Sequence, residues 1–314
     1  GSGLVGSEMC IRDSVYSESN KTGHKKQNDD CFRKVDRYKN MKYAACVVIY
    51  NLPKEEIARV KLYAKSFDVV YILDNSNIFD LLSWEDCTNI IYHWNGGNIG
   101  LPASFNWVLN KVQGSIDYLC LLDQDSVFTS DNIELLKTHI ESNREYITRR
   151  VGIVAPYINY DNSSFRREEK EICVPWVITS GSFVNVKLIC QNHLRYDEDY
   201  FIDRCEVDFC RQLVLKNYKI MLYMGAVLNQ KLGDDNGSKH TSHNPIRHYY
   251  IFRNRFYYNK KFYSPFKRIF LNVAQTIKHL GHVLWFESDK VTKIKMLTIA
   301  YMDYKRGRMG KKTF

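Results

Sequence analysis

The sequence predicts an α/β protein with a largely parallel sheet. Three observations carry that prediction: short apolar, β-branched runs recur between residues 43 and 122, helical patterns separate them, and polar residues close the carboxyl end of several runs.

The first run, YAACVVIYN from Tyr43, has no polar face, as expected of a strand buried on both sides, and it stops at Asn51-Leu52-Pro53. Lys54 to Lys65 sets Ile57, Val60, Leu62 and Ala64 among charges, which suits a helix covering the sheet. VVYILDNS (Val69 to Ser76) is a second strand, and NIIYHW (Asn89 to Trp94) a third. Asn95 to Pro102, NGGNIGLP, is turn chemistry, and Ala103 to Val112 reads as a helix entered through proline. Tyr118 to Leu122 is a fourth strand, ending in Asp123-Gln124-Asp125-Ser126. Asn51, Asp74-Asn75 and Asp123–Asp125 thus fall at strand ends, where open α/β sheets bind their ligands.

With 314 residues, 45% hydrophobic and 25% charged, the chain has room for one large domain and an appendage. Residues 1–40 lack periodicity and an apolar signal core, so a vector-derived or disordered leader is expected there, with the natural start at or near Met41. Residues 41–238 are expected to form the catalytic domain and 239–314 a basic, aromatic helical region. The net charge of +10 is unevenly placed: residues 239–314 hold 17 Lys+Arg against 3 Asp+Glu, whereas 1–238 hold 28 against 32. Nine scattered cysteines, with only Cys205 and Cys210 close, give neither a disulfide framework nor a CxxC pair and suggest a reducing cytoplasm. No uncharged apolar run reaches the length of a membrane span; Ile269 to Phe286 is broken by Lys278, His279 and His282.

Asp123 and Asp125 share one side of a strand end by the period of two, and paired carboxylates attract a hard cation such as Mg²⁺ or Mn²⁺. The alternative is a helix cap, with Asp125-Ser126 starting a helix near Ser130. Asp74 could accept a bond from a pyrimidine base or simply form a turn. In YFIDRCEVDFCR, Glu206 and Asp208 lie beside apolar residues at helical spacing, Phe201, Cys205, Phe209 and Leu213. A half-buried carboxylate there could act as a base near neutral pH, or merely decorate an amphipathic helix. RHYYIFRNR, from Arg247 to Arg255, interleaves cations and aromatics, which fits a diphosphate site, a nucleic-acid surface, or core aromatics flanked by solvated arginines.

Taken in order, VVIYN, YILDNS, NGGNIGLPASFN, LLDQDS, ITSGSF, FIDRCEVDFCR and RHYYIFRNR resemble the family 2 glycosyltransferases of the GT-A type, most closely their rhamnosyltransferase branch, from about Met41 to about Asn259. The resemblance implies a GT-A mixed, mostly parallel sheet flanked by helices, with a C-terminal helical extension. It implies an inverting transfer of a sugar, L-rhamnose from dTDP-rhamnose, to a saccharide or lipid-linked acceptor in bacterial surface-polysaccharide assembly; a UDP-hexose or UDP-galactofuranose donor is the alternative. Tyr50, Asn51 and Asp74 would border the base, with Asn98 and Gly100 near it, and Asp123 and Asp125 would hold Mg²⁺ or Mn²⁺ against the diphosphate. Ser180, Gly181 and Ser182 would line the acceptor side, Glu206 or Asp208 would be the base, and Arg253 and Asn254 would sit near the phosphates.

Two departures stand out. Family members often read D-x-E where this chain has Glu206-Val207-Asp208, and many carry a histidine where it has Gln230, with His240 and His243 as nearby substitutes. The basic tail beyond Asn259 is expected either to touch an anionic membrane surface peripherally, or to cap the catalytic domain or form a homodimer. A nucleotidyltransferase would want a glycine-rich phosphate loop after the first strand, which NLPKEE lacks. A nucleic-acid-binding protein using the tail would leave the strand-end carboxylates without a role.

Overall fold

The computed structural model describes residues 41–80, 82–143, 146, 150–160, 168, 170–230 and 244–314. Eight strands form one mixed sheet in the order β3-β2-β1-β4-β7-β5-β8-β6. The strands are β1 (Tyr43–Ile49), β2 (Val69–Asp74), β3 (Ile90–Trp94), β4 (Tyr118–Asp123), β5 (Val151–Tyr160), β6 (Glu171–Cys173), β7 (Ser182–Asn185) and β8 (Lys219–Gln230). The helices are α1 (Lys54–Lys61), α2 (Leu101–Val112), α3 (Ser130–Ser142), α4 (Val186–Gln191), α5 (Cys205–Leu215), α6 (Pro245–Phe262), α7 (Pro265–Phe286) and α8 (Lys290–Lys305).

β1 is buried along its whole length, and its alternating side chains feed two cores. Tyr43, Ala45, Val47 and Ile49 face Val60 of α1 and Ile133, Leu136 and Ile140 of α3. Ala44, Cys46 and Val48 face Phe105, Val108 and Leu109 of α2 and Phe209 and Leu213 of α5. Full burial of an aliphatic side chain such as Val47 stabilises by roughly 1.5–3 kcal/mol, which is why this strand tolerates no polar position. A third cluster joins α6 to α8 through Tyr249, Phe252, Phe256, Leu297 and Ala300, and it takes in Phe201 from the loop before α5.

β1, β2, β3 and β4 run parallel. The strand order reverses between β1 and β4, so their carboxyl ends flank a topological switch point, the usual ligand crevice of such sheets. β7 then runs antiparallel to both β4 and β5 and turns the sheet mixed.

The four early strands lie where the residue pattern puts them. The helix expected over Lys54 to Lys65 ends as α-helix at Lys61 and continues as a 3-10 turn, Leu62–Lys65. The helical spacing read from Phe201 begins only at Cys205, because Phe201, Asp203 and Arg204 all take positive φ and break the helix. The boundary expected between residues 238 and 239 lies outside the described residues, as does the leader. Residues 265–305 form α7 and α8, which pack onto α6.

Candidate active site

At the end of β4, Asp123-Gln124-Asp125-Ser126 forms a tight turn that other elements fix by its backbone. The Arg59 guanidinium on α1 donates to the carbonyls of Gln124 and Ser126, and the Tyr63 hydroxyl donates to Ser126 O at 2.8 Å. Gln124 Oε1 accepts the Tyr50 amide at 2.7 Å, stapling the turn to the end of β1. Ser126 is buried against Ser180, whose Oγ also receives the Asp123 amide at 3.4 Å. The helix behind the turn is capped by Thr129, not by Asp125-Ser126, which removes the capping role considered for that pair. Held this way, Asp125 projects into solvent while Asp123 is half-buried.

Asp123 sits in negative surroundings. Burial first, then the charges of Asp125 and Glu206, push its carboxyl up to about 7, against the opposing pull of Ser180 and Arg247. Asp123 thus feels the charges of Asp125, Glu206 and Arg247. The Asp123 and Asp125 carboxylates are oxygen donors of the kind a hard divalent cation takes, and such a cation would relieve the repulsion on Asp123. Gln230, at the end of β8, adds a buried Oε1 with no hydrogen-bond partner. Among the described residues no group of three or more His, Cys, Asp and Glu side chains converges as a cation site; His240 and His243 lie outside those residues.

The structure treats Glu206 and Asp208 differently. Asp208 is fully buried and saturated, taking Tyr200 Oη at 2.9 Å, Gln212 Nε2 at 2.6 Å and Lys261 Nζ at 2.8 Å. Glu206 is half-buried, takes a long Cys205 Sγ contact at 3.5 Å, and has its pKa raised chiefly by burial, against the pull of a backbone hydrogen bond. It opens α5 directly after the left-handed residues Asp203 and Arg204.

That left-handed segment is braced from α6. Asn254 is buried, and its Nδ2 lies 3.0, 2.6 and 3.0 Å from the carbonyls of Tyr200, Ile202 and Asp203; with two hydrogens, it shares one among them. Arg253, also buried, reaches the carbonyls of Asp199 and Tyr200 at 3.4 Å and that of Arg308 at 3.5 Å, and stacks over Tyr249 and Tyr250. Gly310 N donates back to Asp199 O at 2.7 Å, and Lys312 N to Tyr250 Oη at 2.9 Å. Arg253 and Asn254, expected near the phosphates, are both buried and bonded to the segment leading to Glu206. Arg247, in the first turn of this helix, is exposed and lies 3.3 Å from Asp203.

On the nucleotide side, Tyr50 is exposed and Asn51 takes a left-handed φ of 49°, with its amide bonded to Ser76 Oγ at 2.6 Å. Asp74 is buried, one oxygen taking the Ser76 amide at 2.7 Å and the other the Tyr92 hydroxyl at 2.6 Å. Asn98 Oδ1 accepts the Gly100 amide at 2.9 Å. Gly100 has φ 88°, and a Cβ there would lie 2.5 Å from Phe201 O, the acceptor of the Leu101 amide. This contact couples the loop after β3 to the segment before Glu206.

The residues expected on the acceptor side are all buried. Ser180 and Ser182 are buried, and Ser182 Oγ donates to Ile178 O at 2.6 Å. Gly181, at φ 77°, lies too close to Pro156 and Leu228 to carry a Cβ, and its amide bonds Leu121 O at 2.7 Å. Sequence reasoning missed Arg59, Tyr63, Gln124, Tyr92 and Lys261, whose roles depend on distant partners. Arg247 was visible only within its motif.

No family profile matches the chain. It is similar to a curated protein of Shigella flexneri described as a dTDP-rhamnosyl transferase, 22% identical over 86% of this chain and 98% of that protein. Among solved structures, the chain matches GalNAc-T7 bound to UDP, GalNAc and Mn²⁺ at TM-score 0.49 and 11% identity, over 61% of this chain and 43% of that one. It also matches S. aureus TarS residues 1–349 at TM-score 0.46 and 12% identity, over 85% and 92%.

Proposed function

We propose that the protein transfers L-rhamnose from dTDP-L-rhamnose to a hydroxyl of a saccharide or lipid-linked saccharide, with inversion, in the assembly of a bacterial surface polysaccharide. The observation that carries this reading is the acidic setting of Asp123 at the switch point, where Asp125 and Glu206 raise its pKa, with Asp208 withdrawn into a saturated buried network. The description of the curated relative supports the choice of sugar and base.

In this reading, Tyr50 and Asn51 border the base, and Asp74 orders the wall beneath it through Ser76 and Tyr92. Asp123 and Asp125, with the Gln230 amide oxygen, would hold Mg²⁺ or Mn²⁺, and Arg247 would face the diphosphate. When bound, the cation supplies Lewis-acid stabilisation of the departing diphosphate, worth several kcal/mol. Glu206, whose raised pKa suits a base near neutral pH, takes the proton of the acceptor hydroxyl. That oxygen attacks the anomeric carbon from the face opposite the diphosphate, the bond to the phosphate oxygen breaks, and the nucleoside diphosphate leaves. General-base assistance of this kind contributes roughly 10²–10⁴-fold.

A thermal-shift titration tests the donor. dTDP-rhamnose with Mg²⁺ or Mn²⁺ should raise the Tm above that seen with UDP-hexoses or UDP-galactofuranose, since ligand at 100 times its Kd adds about 2.7 kcal/mol. A larger shift with a UDP sugar would replace the donor; no shift with any nucleotide sugar would remove the reading.

A further inference from the structure

α7 is turned the wrong way round for an ordinary surface helix. Its polar side faces the protein: Asn272 and Gln275 accept from Asn259 Nδ2 at 2.7 and 2.9 Å, and His279 meets His248 at 2.9 Å. Of its 22 residues only Val283 is buried. Phe266, Phe270, Val273, Ile277 and Leu284 fall within an arc of about 60° at 3.6 residues per turn. All five are exposed, Phe266 at 88%, Phe270 at 72% and Ile277 at 66%, with Trp285 beside them at 77%. A contiguous apolar stripe of this kind on a protein surface marks an interaction site.

Charge selects what covers it. α7 contains Lys267, Arg268 and Lys278 and no acidic residue. Two of the three acids after residue 244 are withdrawn from the surface: Glu287 is buried against Lys293 at 2.5 Å, and Asp303 against Lys312 at 2.9 Å. A second copy packed along the same stripe would set these cations against their own equivalents with no carboxylate on the helix to pair them. An anionic bilayer supplies what the helix lacks, an apolar phase for the stripe and negative headgroups for its flank. No described helix is long and apolar enough to cross a membrane, so the contact would be in the plane of the interface.

We infer that α7 docks the protein on anionic lipid surfaces through the stripe Phe266, Phe270, Val273, Ile277 and Leu284. This is independent of the donor and of the base. Truncating the C-terminal region would expose the cluster joining α6 to α8, so the test uses point variants of the full chain. Vesicles of phosphatidylglycerol and phosphatidylcholine should sediment the protein, pure phosphatidylcholine vesicles should not, and binding should weaken as salt rises from about 0.05 to about 0.5 M. The double variant Phe270→Glu, Ile277→Glu should lose at least about tenfold in vesicle affinity with its Tm unchanged. Brominated lipid should quench the wild type, and less so Trp285→Phe. Failure of the wild type to bind anionic vesicles at low salt, or equal binding by the double variant, overturns the inference. So does a concentration-dependent dimer that the double variant abolishes, which would make a second copy the occupant.

Discussion

Lys261 Nζ lies 2.8 Å from Asp208 Oδ2 and 2.6 Å from Asp197 Oδ2, joining α6 to α5 and to the loop before it. Burial lowers the Lys261 pKa, but its two carboxylates more than offset this and leave it raised; burial raises Asp208 against the pull of Lys261, Gln212 and Tyr200. In the proposed reading Asp208 is a structural acid. Asp208→Asn should destabilise the fold by roughly 1–3 kcal/mol, because it weakens the buried bonds from Tyr200 and Gln212 and leaves Lys261 with Asp197 alone. Glu206→Gln should leave the unfolding midpoint in urea unchanged, retain donor binding, and reduce transfer at least about 10²-fold. If Glu206→Gln stays active and Asp208→Asn binds donor but does not turn over, the base has been assigned to the wrong acid.

Asn254 never approaches the substrates in this reading, yet it holds the carbonyls that shape the approach to Glu206. Asn254→Ala leaves buried carbonyls unpaired and should cost roughly 1–3 kcal/mol. Because displacement of a catalytic group by about 1 Å can cost about 10²-fold, kcat should fall while the nucleotide Kd, measured by calorimetry, holds. An equal loss in nucleotide binding would mean that the brace acts on the donor side.

Gly100→Ala adds a Cβ 2.5 Å from Phe201 O at a backbone angle that alanine disfavours. The strained backbone alone should cost roughly 1–3 kcal/mol, and relief requires the loop after β3 and the segment before Glu206 to separate. A lowered Tm with reduced transfer is expected; a variant with wild-type Tm would show that the two segments are not coupled.

His248 meets Glu287 at 2.8 Å and His279 at 2.9 Å, with Lys293 and His282 adding positive charge nearby. Burial first, then those cations, lower its pKa despite the attraction of Glu287. The unfolded chain therefore binds a proton on this residue at higher pH than the folded one. Stability present above the ordinary histidine pKa of about 6.5 is lost as pH falls through it, by at most about 1.4 kcal/mol per pH unit. Tm measured from pH 7.5 to 5.5 should decline, and His248→Gln should flatten that decline. An unaltered slope would place the acid sensitivity elsewhere.

The early half of the sheet was legible because parallel strands buried on both faces read as apolar runs, and their carboxyl ends carry the polar residues that matter. The later half was not. β7 has four residues, and β8 departs from regular pairing between Tyr223 and Val227, where Gly225 lies against the Tyr223 ring. The Glu206 segment could be found by its acids, but helical spacing hid three left-handed residues that only long-range support allows. Arg253-Asn254 was recognisable as a motif while its role was not, since burial decides whether an arginine holds a phosphate or a carbonyl.

The support from Arg308 and Gly310 for Asp199 spans about a hundred residues of chain, which at a synthesis rate of about 5–20 residues per second is a delay of roughly 5–20 s. During that interval the early strands and the Asp123 turn can already be assembled while the region around Glu206 waits for its keystone. A nascent chain would thus complete the Asp123 turn before the support beneath Glu206.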